Sequence, residues 1–257
     1  VRPRFPRTAV AFRPGLCYNV ENKTAFREGQ TMDTIHIDSK GVKMVAHRGV
    51  SGLEKENTAS AFVAAGNRSY FGIETDVHRT LDGQFVVIHD DNTARVAIDS
   101  LDVEKTTFET LRALRLCDTD GEKGRADLRI PTLREYVRIC KKYGKVGVLE
   151  LKNRFEAKDI WRIVSLLEEE EYLPYMIIIS FSLENLIDLR AILPEQSAQF
   201  LTSKYSEELV DRLVCERLDL DIHHEALTKE NIAYMHSRGI VVNCWTVDDP
   251  KRAEDLI

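Results

Sequence analysis

The sequence predicts an α/β chain folded as a (β/α)8 TIM-type barrel that lacks its last strand at the C-terminus. Two observations make the prediction. From Lys43 onward, short apolar runs of four to eight residues alternate with amphipathic stretches at helical spacing, and the runs are apolar on both faces, as in a parallel sheet covered by helices. The number of such units, with no G-x-G-x-x-G turn after the first run, favours a barrel over a doubly wound sheet.

Taken in order, residues 1–31 stand apart. They carry six Arg/Lys against two Glu and three prolines without periodicity, and are expected to be a poorly ordered leader or appended segment that precedes a domain spanning 32–257. The expected strands are "KMVAHR", "FGIETDV", "VGVLELK", "MIIISF", "AQFLT", "LDLDIHH" and "IVVNCWTV". "FVVIHD" (residues 85–90) is expected to be the return arm of a hairpin, which leaves seven barrel strands. Among the helices, "PTLREYVRICKKYG" has the clearest ends. Thr132 and Glu135 form a capping box, Gly144 is a stop, and Leu133, Tyr136, Val137 and Cys140 share one face. "SLENLIDLRAILP" and "SEELVDRLVCERL" behave similarly. "TKENIAYMHSRG" has Thr228 as cap and Gly239 as stop, and "DDPKRAEDLI" opens with Pro250 in its first turn.

Composition narrows the function. A net charge of −6 does not suggest nucleic-acid binding, and no apolar run approaches the roughly 18 residues of a membrane span. Five cysteines, far apart and without a C-x-x-C pair, read as reduced thiols of a cytoplasmic protein.

In barrels of this kind, chemistry sits at the C-terminal ends of the strands. His47 and Arg48 end the first run. Glu74 and Asp76 lie two apart on the second and face one way, where two carboxylates repel unless a cation lies between them or one is protonated. Asp82-Gly83 reads as a two-residue hairpin turn that sets Asp76 opposite His89 and carries His89 and Asp90 back to the acids. Glu150 and Lys152 repeat the same spacing on a later strand. Three carboxylates without sulfur fit a hard divalent cation, Mg2+ or Ca2+. Two histidines suit acid/base work, and Arg48 and Lys152 suit an anionic phosphate. Together they point to metal-assisted cleavage of a phosphodiester.

The order His-Arg-Gly, Glu-Asn-Thr, Glu-x-Asp, His-Asp after a DG turn, and Glu-Leu-Lys resembles the glycerophosphodiester phosphodiesterase family, from about Val45 to Val247. "IPTL" and "WTVDD" are also similar to family patterns. The resemblance implies a barrel that uses a divalent metal to hydrolyse small glycerophosphodiesters to glycerol 3-phosphate and an alcohol. By position it implies His47 and His89 as the acid/base pair, and Glu74, Asp76 and Glu150 as metal ligands. Arg48 and Lys152 would hold phosphate, with Phe181 and Trp245 lining the pocket for the glycerol or leaving group. Asn57 and Asp90 would orient the metal site and His89.

Three departures accompany it. Lys55 replaces the usual proline before Glu-Asn-Thr, the stretch after Asp90 lacks the common Arg-Thr-Thr, and the chain stops at Ile257 where the family adds another turn and strand, which suggests a truncation. Two other readings stay open: a phosphodiesterase acting on lysophospholipid or sphingomyelin headgroups, and an inactive barrel that only binds. His78 reads as a solvated strand residue, His223 and His224 as one rim and one loop histidine, and Trp161 and Tyr136 as packing residues.

Overall fold

A computed structural model describes residues 40–121 and 125–257. The expected leader, residues 1–31, lies outside the described residues. Eight strands form one sheet: β1 (Val45–Ala46), β2 (Gly72–Arg79), β3 (Phe85–Val87), β4 (Val146–Leu151), β5 (Met176–Ser180), β6 (Ala198–Thr202), β7 (Asp219–His223) and β8 (Val242–Trp245). Seven run parallel in the order β1-β2-β4-β5-β6-β7-β8, and β3 pairs antiparallel with β2 as the return arm of a hairpin. The sheet curls. Val148, Ile179 and Leu201 of β4, β5 and β6 form one inward cluster that also gathers Val45 of β1 and Trp245 of β8. Side chains from both ends of the strand order can meet only if the sheet closes toward itself. The arrangement is that of a TIM-type barrel with one strand fewer, since among the described residues β1 pairs only with β2 and β8 only with β7.

Helices α1 (Ala59–Gly66), α2 (Phe108–Ala113), α3 (Leu133–Tyr143), α4 (Ala157–Glu169), α5 (Leu183–Ile192), α6 (Glu207–Glu216), α7 (Lys229–Ser237) and α8 (Pro250–Leu256) fill the connections. The predicted ends hold. The Thr132–Glu135 box opens α3 and Gly144 ends it, Thr228 caps α7, and Asp249 caps α8 with Pro250 at its start. α3 buries Leu133, Tyr136, Val137 and Cys140, as its spacing requires. Tyr136 packs edge-on to Phe62 at 5.1 Å and donates its hydroxyl to the carbonyl of Ile73 at 2.6 Å, so the buried phenol is satisfied. Trp161 differs from expectation: it is 58% exposed on α4.

The hairpin register also differs. β2 and β3 pair Val77 with Val87 and Arg79 with Phe85, which sets Asp76 opposite Ile88 and not His89; the amide of Ile88 donates to the carbonyl of Asp76 at 3.2 Å. The loop between Thr80 and Gln84 holds three residues, because Asp82 is engaged by its side chain, accepting from the Thr80 hydroxyl (2.6 Å) and the Phe108 amide (2.9 Å). Gly83 alone takes the left-handed conformation (φ 76°), the three-residue loop with a bulge. Val86 of β3 joins Ile88, Val96, Val103, Leu111 and Leu128 in a second apolar cluster.

Candidate active site

β1 is short because the chain turns sharply at its end. Arg48 and Gly49 both have positive φ (52° and 76°), and a Cβ on Gly49 would lie 2.7–2.8 Å from Ala61 of α1. Only glycine permits this approach. The turn aims the Arg48 amide at Glu74 Oε2 (2.8 Å) and places its guanidinium between Glu56 (3.1 Å) and Asp76 (3.5 Å). Asn57 locks the same corner: its amide donates to the Arg48 carbonyl, its Nδ2 donates to Asp76 Oδ2 at 2.7 Å, and its Oδ1 accepts from Thr75 at 2.8 Å. Asp76 is therefore held in one orientation by a neutral side chain, while Thr58 caps the helix that follows.

The acids come from neighbouring strands. Asp76 of β2 and Glu150 of β4 are register partners, and Glu74 lies two residues earlier on the same face. One carboxylate oxygen from each of Glu74, Asp76 and Glu150 falls within 4.8 Å of the others, and all three residues are buried. Burial, followed by repulsion from Asp76 and Glu150, pushes the Glu74 carboxyl well above the usual range. Burial and Asp76 push Glu150 up to about 7 against the pull of Lys152. Lys152 Nζ stands 2.9 Å from Glu150 and 3.4 Å from Asp76, yet Glu150 Oε1 has no aligned hydrogen-bond donor. Three converging carboxylates with oxygen donors only fit a hard divalent cation.

The histidines flank this cluster. His47 is held down to about 4, first by burial and then by the Arg48 charge, while Asp76 and Asp248 pull the other way. His89 lies close enough to oppose a charge on His47. Its Nδ1 sits 2.6 Å from Asp90 Oδ1, and the bend after β3, not cross-strand pairing, carries it there. His78 is fully buried, contrary to the solvated reading: it faces inward with Glu74 and Asp76, with Nδ1 3.3 Å from Glu104 and Nε2 3.2 Å from the His89 carbonyl.

An aromatic wall completes the mouth. Phe181, just past β5 and 47% exposed, meets Trp245 of β8 edge-on at 5.6 Å. His223 packs edge-on to Trp245 at 5.0 Å and stacks on His224 at 4.9 Å. Below it, Trp245 Nε1 donates to the carbonyl of Asp221, and that residue's buried carboxylate has an oxygen without a partner. Burial, then the charge of Glu150, raises Asp221 to about 7.

The structure thus gathers His47, Arg48, Asn57, Glu74, Asp76, His89, Asp90, Glu150 and Lys152 around one cluster, with Phe181 and Trp245 at its rim. Sequence reasoning missed Asp221, although the alternation in "LDLDIHH" puts it on the inward face of β7 with His223, the rim member of the expected rim-and-loop pair. It also missed Glu56 and Arg95, whose side chains meet across 39 residues of sequence.

Comparison with known proteins agrees with this geometry. Residues 47–257 match the sequence model of the glycerophosphoryl diester phosphodiesterase family. The chain is 31% identical over 220 residues to YhdW of Bacillus subtilis (strain 168), covering 83% of this chain and 89% of that protein. It is 29% identical over 224 residues, with the same coverage, to a glycerophosphodiester phosphodiesterase of Caldanaerobacter subterraneus subsp. tengcongensis. Among solved structures, an Oleispira antarctica phosphodiesterase in complex with the product sn-glycerol-3-phosphate superposes with a TM-score of 0.77 at 28% identity, covering 84% of this chain and 88% of that one.

Proposed function

Because the chain belongs to the glycerophosphoryl diester phosphodiesterase family, a family of phosphoric diester hydrolases, we propose that it hydrolyses glycerophosphodiesters to sn-glycerol 3-phosphate and an alcohol by histidine acid/base catalysis with a divalent cation, Mg2+ or Ca2+. The observation that carries this reading is the buried triad of Glu74, Asp76 and Glu150, bordered by two cationic side chains and two histidines.

Glu74, Asp76 and Glu150 would hold the cation, which when bound neutralises their mutual repulsion and stabilises negative charge on the phosphate oxygens. Arg48 and Lys152 orient the phosphate with charge-assisted hydrogen bonds from two sides. His47, uncharged at neutral pH, accepts the proton of the attacking water. His89, with Nδ1 turned to Asp90, presents Nε2 to the substrate; as the imidazolium it delivers the Nε2 proton to the leaving oxygen and is left neutral, with its remaining proton on Nδ1 toward Asp90. Phe181 and Trp245 line the space for the glycerol or the leaving group and exclude water from one side. Asn57 keeps Asp76 aimed at the triad.

Among the described residues no helix is long and apolar enough to cross a membrane. The free thiols of Cys117, Cys140, Cys215 and Cys244 fit a reducing compartment, and the cytoplasm is the proposed location.

The test is product analysis by 31P NMR with glycerophosphocholine and lysophosphatidylcholine side by side. Conversion of glycerophosphocholine to glycerol 3-phosphate, abolished by EDTA, supports the proposal. Turnover of the lysolipid alone, or accumulation of a cyclic phosphate, assigns the chain to the headgroup-cleaving reading. No turnover of either substrate favours a barrel that only binds.

A further inference from the structure

The stretch after Asp90, which lacks the common Arg-Thr-Thr, supplies a cation, Arg95, that is bonded on both edges. Arg95 Nε donates to Asp90 Oδ2 at 2.7 Å and its Nη2 reaches Asp90 Oδ1 at 3.1 Å. The other edge of the same guanidinium donates to both oxygens of Glu56, at 2.6 and 2.8 Å. Each carboxylate then leads into the site. Asp90 Oδ1 lies 2.6 Å from His89 Nδ1, and Glu56 Oε1 accepts from Arg48 at 3.1 Å, whose Nε stands 3.5 Å from Asp76. A continuous chain of charged side chains thus runs from His89 through Asp90, Arg95, Glu56 and Arg48 to the acidic triad.

We infer that Arg95 is a positioning residue: its planar fork holds Asp90 and Glu56 in one plane and thereby fixes the ring orientation and the proton-bearing nitrogen of His89 relative to Arg48. A lone carboxylate beside an imidazole can rotate, and a surface pair of this kind holds little. A carboxylate gripped at both oxygens by a guanidinium cannot rotate without breaking two bonds. Asp90 is so gripped, and Arg95 is itself held by a second carboxylate, so neither member is free to turn. The electrostatics agree: Arg95 is the leading cause that holds Asp90 down at about 2, and Asp90 therefore stays an acceptor at every working pH. The neutral ring of His89 must then keep its proton on Nδ1, which leaves Nε2 to exchange a proton with the substrate. The backbone of His89 has a separate tie, the 3.2 Å contact of His78 with its carbonyl, so Arg95 governs the ring and not the chain.

The role in turnover rests on the proposed acid/base function of His89, and the experiment separates the two. The chain, labelled at histidine nitrogens and kept metal-free with EDTA at pH 8, is examined by long-range 15N–1H NMR, with His89 assigned by its loss in His89→Gln. Wild type should show His89 with hydrogen on Nδ1; Arg95→Gln should move it toward the Nε2–H form that a free histidine prefers. Arg95→Lys, which keeps the charge and gives up the fork, should do the same. In the hydrolysis assay both variants should lose about 10–100-fold in kcat with KM within about twofold. A tautomer shift with unchanged kcat would uphold Arg95 as the positioning residue and remove His89 from the chemistry. An unchanged His89 tautomer in Arg95→Gln would overturn the inference, and a lysine variant indistinguishable from wild type would overturn the fork.

Discussion

Replacing Asp221 with Asn tests the electrostatics of the barrel interior. Asp221 is 7% exposed on β7, and its carboxyl is raised from 3.8 to about 7 by burial and by the charge of Glu150. In the folded chain it therefore keeps a proton that the unfolded chain releases near 3.8. A group with a raised folded-state pKa contributes its stability in full below the unfolded value and loses it as pH rises through the folded value. Between pH 5 and pH 8 the loss is two decades of proton binding at 1.36 kcal/mol each, about 2–3 kcal/mol. Asp221→Asn cannot titrate and is free of that loss. Urea unfolding of wild type and variant in EDTA at both pH values should show the variant gaining about 2–3 kcal/mol on wild type from pH 5 to pH 8. Saturating divalent cation should shrink the gain, because a cation held by Glu150 removes one of the two causes. A stability difference that stays constant across that range to within about 0.5 kcal/mol would refute the reasoning.

Other outcomes follow from the same geometry. His47→Ala and His89→Ala should each lower kcat by about 10²–10⁴-fold while leaving cation affinity, read by calorimetry, near wild type. Glu74→Ala and Asp76→Ala should instead weaken cation binding, so that raised metal concentration restores part of the rate. Asn57→Ala, which frees Asp76 Oδ2, should weaken it about 10–100-fold without touching a ligand, measured in the same titration. Gly49→Ala should cost about 2–4 kcal/mol in urea unfolding, from the left-handed backbone together with the clash against Ala61.

Most of the fold was legible because its signals are local. The cap and stop of α3, and the residues it buries, are set within one stretch of sequence, as is the alternation that makes β2 and β4 present their acids inward. The hairpin register differs by one residue from the sequence expectation because Asp82-Gly83 is not a two-residue turn: Asp82 caps toward Thr80 and Phe108 and leaves Gly83 as the sole left-handed residue of a three-residue loop. His78 reads as solvated beside the charged Arg79, but the folded arm covers it and supplies its partners, Glu104 and the His89 carbonyl. Glu56 with Arg95, and Glu150 with Asp221, are encounters between segments 39 and 71 residues apart, about which no local pattern speaks. The triad could be found because strand spacing and parallel register together bring Glu74, Asp76 and Glu150 to one face.

The most direct measurement of the central claim is release of glycerol 3-phosphate from glycerophosphocholine by the full chain, with Mg2+, with Ca2+ and with EDTA. A metal-supported hydrolase predicts release with at least one cation, none in EDTA, and recovery when the cation is returned. Equal release in EDTA would contradict a cation at Glu74, Asp76 and Glu150, and no release from a folded, cation-loaded chain would contradict the proposed activity.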